Sequence, residues 1–140
     1  MLNSPNQDCQ NNTNTQYSIS QAVDYIVTEG TSGIWTYRKW NSGIAECWGT
    51  YASTAAVTLG AWGSLYAKDS AIPAQALPFT FAEVPKCLAT PKLGNSTWAS
   101  FLYVNLDATT TETPAYGVAR ANSATGLKPA ADLYVIGRWK

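Results

Sequence analysis

The chain has no histidine in 140 residues, and that absence removes the commonest general base and the commonest metal ligand together. Most hydrolase designs are excluded with it. Charge is sparse and balanced, with 9 Lys+Arg against 9 Asp+Glu, so no field steers the chain toward nucleic acid or an anionic membrane surface. Cysteine is scarce as well. Cys9, Cys47 and Cys87 are odd in number, far apart and without C-x-x-C spacing, which signals neither a disulfide framework nor a tetrahedral zinc site. They are expected to be reduced thiols, two of them in the core. No apolar run approaches the ~20 residues of a membrane span, and the opening MLNSP lacks the basic segment and apolar stretch of a standard export signal. Neither membrane insertion nor a cofactor or metal is expected.

What is present is apolar: 46% hydrophobic and 12% aromatic residues, enough to bury one core. Residues 1–16 do not contribute to it, because NSPNQDCQNNTNTQ is too polar to pack and is expected to be a flexible N-terminal segment. Residues 17–31 predict a short helix, about three turns from Ser18 to Glu29. In it Ile19, Ala22 or Val23, and Ile26 recur at helical spacing, Ser18 is a plausible N-cap and Gly30 a plausible stop. A helix of that length is marginal in water. Its stripe of Ile19, Val23 and Ile26 therefore needs a partner, either the β-domain or the same helix of other subunits.

From Gly33 onward the apolar period changes from helical to alternating, and residues 32–140 predict a β-sandwich domain. IWTYRKW, the turn Asn41-Ser42-Gly43 and IAECWGTY read as a hairpin, with Gly43 supplying the left-handed residue of a three-residue loop. If Trp40 opposes Ile44, counting back sets Arg38 opposite Glu46 and Thr36 opposite Trp48, a cross-strand ion pair within an aromatic cluster. Trp35, Tyr37, Cys47 and Tyr51 then share the other face. Further strand candidates are STAAVTLG, GSLYAK, PFTF, KCLAT, WASFLYVN, AYGVARA and DLYVIGRW, punctuated by proline and glycine. Short strands at this spacing indicate an antiparallel sandwich. WASFLYVNL is apolar on both faces, with Phe101 and Tyr103 on one of them, which suits a strand lying at a subunit interface.

The segments GTSGIWTYRKWNSGIAECWGTY, AWGSLYAKDS, LPFTFAEVPKCLAT, NSATG and the terminal YVIGRWK are similar in content and order to the C-terminal head, or tip, domains of tail-fibre and minor tail proteins from phages of Gram-positive bacteria. The resemblance runs from about Asp24 to Lys140 and is sharpest in WTYRKWNSGIAECWG and IGRWK. It implies a jelly-roll-like β-sandwich head on a homotrimeric stalk, part of the virion and in contact with other tail proteins, exposed where a phage meets its host. It names no ligand. Trp35, Trp40, Trp48 and Trp139 in its motifs are read as structural core, since aromatics in alternating strands are mostly buried.

Ligand residues are expected in the connections, where sequence is free of the core. The segment 61–70 offers Trp62, Tyr66, Lys68 and Asp69; 92–98 offers Asn95, Ser96 and Trp98; 115–122 offers Tyr116, Arg120 and Asn122. An aromatic ring beside Asn, Asp or Arg is what a sugar requires, because its C–H face stacks and its hydroxyls take directional hydrogen bonds. Three function classes follow: a receptor-binding tip for a bacterial surface glycan or cell-wall polymer, a structural trimerising cap, and a glycan depolymerase. The last would draw its carboxylates from Glu29, Glu46, Asp69, Glu83, Asp107 and Glu112, which form no recognisable acid–base pair.

Overall fold

The computed structural model describes residues 23–92, 94–96 and 99–140. Nine strands form two sheets, and among the described residues there is no helix. The strands are β1 (Ile26–Ser32), β2 (Trp35–Trp40), β3 (Ile44–Ala52), β4 (Gly60–Trp62), β5 (Leu65–Ile72), β6 (Lys86–Lys92), β7 (Phe101–Leu106), β8 (Ala115–Arg120) and β9 (Ala130–Arg138). One sheet has the order β1-β2-β3-β9-β6 and the other β4-β5-β8-β7, every pairing antiparallel. The molecule is an antiparallel β-sandwich.

The β2–β3 hairpin follows from its loop. Gly43 adopts φ +94° and its N–H donates to the Trp40 carbonyl at 3.1 Å, closing Asn41-Ser42-Gly43 and setting Arg38 opposite Glu46 and Thr36 opposite Trp48. The parity of that register sends Trp35, Ala45 and Cys47 into the core. Cys47 lies opposite Val135, which lies opposite Cys87 on the far side of β9. Burial pushes the Cys47 thiol up to about 12 and the Cys87 thiol to about 11. The Trp35 indole N–H donates to the Ala76 carbonyl at 2.7 Å, which satisfies the one polar atom that this ring carries inward.

The helix expected over 17–31 is corrected where the structure describes it. Residues 26–32 are strand β1, paired with β2 from Ile26↔Trp40 to Ser32↔Trp35. Two local causes win. Ile26, Val27, Thr28 and Thr31 are β-branched and Gly30 is a poor helix former. The preceding residues are also tied to the hairpin loop: Asn41 N–H donates to the Tyr25 carbonyl at 3.0 Å and Ser42 Oγ donates to Asp24 Oδ2 at 2.8 Å. In the expected oligomerisation stripe, Val23 and Ile26 are 55% and 42% exposed, Ile26 as a strand residue. Ile19 and the segment 1–16 lie outside the described residues.

The expected Arg38–Glu46 ion pair is also corrected. Arg38 Nε stands 3.7 Å from Glu29 Oε2 on the other neighbouring strand, with the guanidinium over the Trp48 ring. The Glu46 carboxylate instead accepts the Tyr134 hydroxyl from β9. Two strand candidates are loops. STAAVTLG keeps only a bridge from Val57 to Leu127 ahead of the short β4, and PFTF turns Phe81 into the core while its N–H donates to the Thr110 carbonyl at 2.9 Å. Among the indoles assigned to the core, Trp35 is buried, Trp139 packs against the core with Nε1 donating to the Trp40 carbonyl at 3.0 Å, and Trp40 and Trp48 are half-buried.

Candidate functional site

The β4–β5 hairpin turns through Gly63-Ser64 with Gly63 at φ +58°, the positive φ that a two-residue loop demands. Register then fixes one face. Gly60 pairs with Ala67, Ala67 with Ala119 and Ala119 with Phe101, while Tyr103 lies opposite Gly117. Residues directly opposite in a ladder share a face, so the outer surface of the four-stranded sheet has a floor of glycine and alanine flanked by Trp62, Phe101 and Tyr103.

The absence of a side chain at position 117 is used directly. The Tyr103 ring lies across Gly117 so closely that a Cβ there would sit 2.0 Å from Cζ. Laid flat, the ring stacks with Trp62, centroids 5.4 Å apart and planes 26° from parallel, and its hydroxyl donates to Asp69 Oδ1 at 2.6 Å. A bulge in β5 between Lys68 and Ile72 brings Asp69 into position. Ser70 within it holds φ +48°, secured by Asn105, whose Oδ1 accepts Ser70 N–H at 3.0 Å and whose Nδ2 donates to Ser70 Oγ at 3.0 Å. Desolvation, and then the bond to Asp69 and its charge, push the Tyr103 hydroxyl up to about 12. An open cleft of about 470 Å³ runs along this feature, bordered by Thr58, Trp62, Lys68, Asp69 and Tyr103. Trp62 is 55% exposed. The arrangement offers a flat π-surface for an apolar face of a ligand, a carboxylate acceptor and a hydroxyl, all within one cleft.

Of the residues expected to bind ligand, the structure brings Trp62 and Asp69 together. Tyr66 lies opposite Arg120 on β8 and packs against the core. Tyr116 is a core residue, its hydroxyl pushed up to about 12 by burial. Arg120 is buried and holds its own loop, donating to the Asn122 and Ser123 carbonyls at 2.9 Å each and to Ser96 Oγ at 2.7 Å. Asn95 staples the neighbouring turn, Nδ2 donating to the Gly126 carbonyl at 2.9 Å and Oδ1 accepting Lys128 N–H at 2.7 Å. Trp98 lies outside the described residues. Tyr103, assigned from sequence with Phe101 to a subunit contact, stands at the centre of the cleft. The sequence signal was Gly117, since an isolated glycine inside a strand pattern marks a close approach, but it does not name the ring that makes it.

Among the described residues no group of His, Cys, Asp or Glu is placed to hold a metal ion. Glu29, Glu46 and Asp69 each face a partner of another kind, Arg38, Tyr134 and Tyr103. No family model, curated protein or solved structure matches this chain.

Proposed function

We propose that the chain is a phage tail-fibre tip domain without enzymatic activity, attaching to carbohydrate on the bacterial surface through the Trp62–Tyr103–Asp69 cleft. The observation that carries this reading is the exposed indole stacked on a tyrosine whose hydroxyl is bonded to a carboxylate. Saccharides bind where a C–H face meets an aromatic ring and hydroxyls meet fixed acceptors, and pre-oriented groups lose little entropy when they engage. Sequence resemblance to tail-fibre heads supplies the biological setting, in which the virion is the location and other tail proteins are neighbours. The crossing of chain between sheets, with β3, β6 and β9 in one and β5, β7 and β8 in the other, supports the jelly-roll-like form that the resemblance implies.

The test is adsorption of the purified chain to host cells and to a glycan array. Trp62→Ala removes the outer stacking face from an exposed position, so adsorption should fall by about tenfold or more, the equivalent of ~1.4 kcal/mol, while the melting temperature stays within a few degrees. Unchanged adsorption overturns the cleft as the attachment site.

A second reading, a structural trimerising cap, is favoured by the apolar exposure of β7: Phe101, Val104 and Leu106 are 45%, 52% and 61% exposed. Because Phe101 shares its face with Tyr103, a trimer packed through that face would cover the cleft. Light scattering on the full chain, with acrylamide quenching of Trp62 fluorescence measured against a Trp62→Phe control, separates the two. A trimer that shields Trp62 favours the cap, and an accessible Trp62 favours attachment.

A further inference from the structure

The outer face of the five-stranded sheet repeats the constellation in different residues. Trp48 on β3 lies opposite Tyr134 on β9, and Leu88 on β6 lies opposite Tyr134 from the other side. These three form a row of apolar groups, with Leu88 66% exposed. The Tyr134 hydroxyl donates to the Glu46 carboxylate, as Tyr103 donates to Asp69. One pleat period along the same strands, Thr50, Asp132 and Thr90 stand opposite one another, about 7 Å from the aromatic row. Thr50 Oγ1 donates to Asp132 Oδ1 at 2.6 Å and Lys92 Nζ reaches the same oxygen at 3.3 Å, which leaves Oδ2 as an acceptor for a ligand hydroxyl. An open groove of about 370 Å³ lies over both rows.

We infer that this groove is a second saccharide site, selective for uncharged pyranose rings, and that the domain is bivalent. A ring resting on Trp48 and Leu88 spans the gap to the polar row, where two threonine hydroxyls and a carboxylate meet its hydroxyls. The selectivity follows from charge. Asp132 and Glu46 repel an acidic sugar, and the two nearby cations are already paired, Lys92 with Asp132 and Arg38, whose guanidinium stands over the Trp48 ring, with Glu29. The two sites face outward from opposite sheets, whose layers are about 10 Å apart, with the side chains of both faces beyond them. A short oligosaccharide cannot reach both, whereas a polymer can be bridged.

This inference rests on the saccharide reading of the Trp62 cleft, and the experiment separates the two. The full chain is titrated calorimetrically with soluble neutral polysaccharides (a glucan, a galactan, a mannan and N-acetylglucosamine oligomers), using wild type, Trp62→Ala, Trp48→Ala, Asp132→Asn and Trp62→Ala/Asp132→Asn. Asp132→Asn guards against misfolding of the Trp48 variant, since it replaces one exposed polar group by another of the same shape. Expected are two sites per chain in wild type, one in each of Trp62→Ala and Asp132→Asn, and at least about a tenfold loss at the affected site. The double variant should retain neither. If Trp62→Ala abolishes all binding, or Asp132→Asn and Trp48→Ala leave stoichiometry and affinity unchanged, the second site is wrong and the first stands. If Trp62→Ala is without effect and Asp132→Asn removes binding, the groove is a site and the cleft is not. Absence of binding by wild type to every probe overturns both.

Discussion

Adding one methyl group at position 117 should dismantle the Trp62 cleft without replacing any residue that would contact a ligand. A Cβ on Gly117 comes 2.0 Å from Tyr103 Cζ and 2.4 Å from Cε2 and Oη, so the ring must rise by about 1.5 Å to reach ordinary van der Waals separation. The 2.6 Å bond to Asp69 does not survive that displacement, nor does the stack with Trp62. A hydrogen bond to a charged acceptor contributes about 1.5 kcal/mol at the low end, appropriate to an exposed carboxylate, and the ring pair about 1 kcal/mol. Restricting the unfolded chain by Gly→Ala offsets about 0.7 kcal/mol. The net is about 2 kcal/mol, roughly a 7 °C drop in melting temperature for a domain of this size.

The assay is a double-mutant cycle by urea denaturation on wild type, Gly117→Ala, Tyr103→Ala and the pair. In the Tyr103→Ala background nothing remains for the methyl to strike, so Gly117→Ala should be neutral or stabilising there, giving a coupling of about 2 kcal/mol. Equal costs in both backgrounds, within about 0.5 kcal/mol, would refute the reasoning, because the damage would then lie in the strand and not in the ring above it.

Two further outcomes are expected. In an alkaline titration followed by phenolate absorbance, Tyr103, Tyr116 and Tyr134 should ionise late, each pushed up to about 12. Their folded values exceed the ordinary value near 10, so what they add to stability is intact below about pH 10 and lost as pH rises toward 12. Urea midpoints across that window check the sign, and Tyr134→Phe should remove one late step. Gly49→Ala should be far costlier than Gly117→Ala, by more than about 3 kcal/mol. Its Cβ would meet the Ile34 carbonyl oxygen at 2.1 Å, a backbone atom that cannot swing aside as the Tyr103 ring can, and the change is read as loss of the cooperative unfolding transition.

What could be read from sequence was what local chemistry decides. The β2–β3 register followed from loop length and Gly43, and parity then put Trp35 and Cys47 on one face, the face that the structure turns inward. The segment 26–32 was misread because only Ile26 of the helical stripe falls inside it, and the β-branched Val27, Thr28 and Thr31 beside it favour the strand that pairs with β2. Trp62 and Asp69 could be found because they lie close in sequence on one hairpin. Tyr103 could not, since its place beside them depends on the order β5-β8-β7, which no local pattern encodes. Tyr66 and Tyr116 failed through parity. Their segments were read both as strands and as ligand-bearing connections, and in the strands they form alternate residues point inward.

The central position of β9 has a kinetic meaning. It lies between β3 and β6, and its bond from Thr50 to Asp132 spans 82 residues of sequence. Two strands that emerge earlier in synthesis must therefore wait, each with an unpaired margin, until β9 follows them. Closing so long a loop before any reward arrives places the domain among slow, high-contact-order folders, and the waiting margins are templates for illicit pairing with neighbouring nascent chains. Expression yield should then be governed less by the stability of the finished sandwich than by how long β3 and β6 remain open on the ribosome.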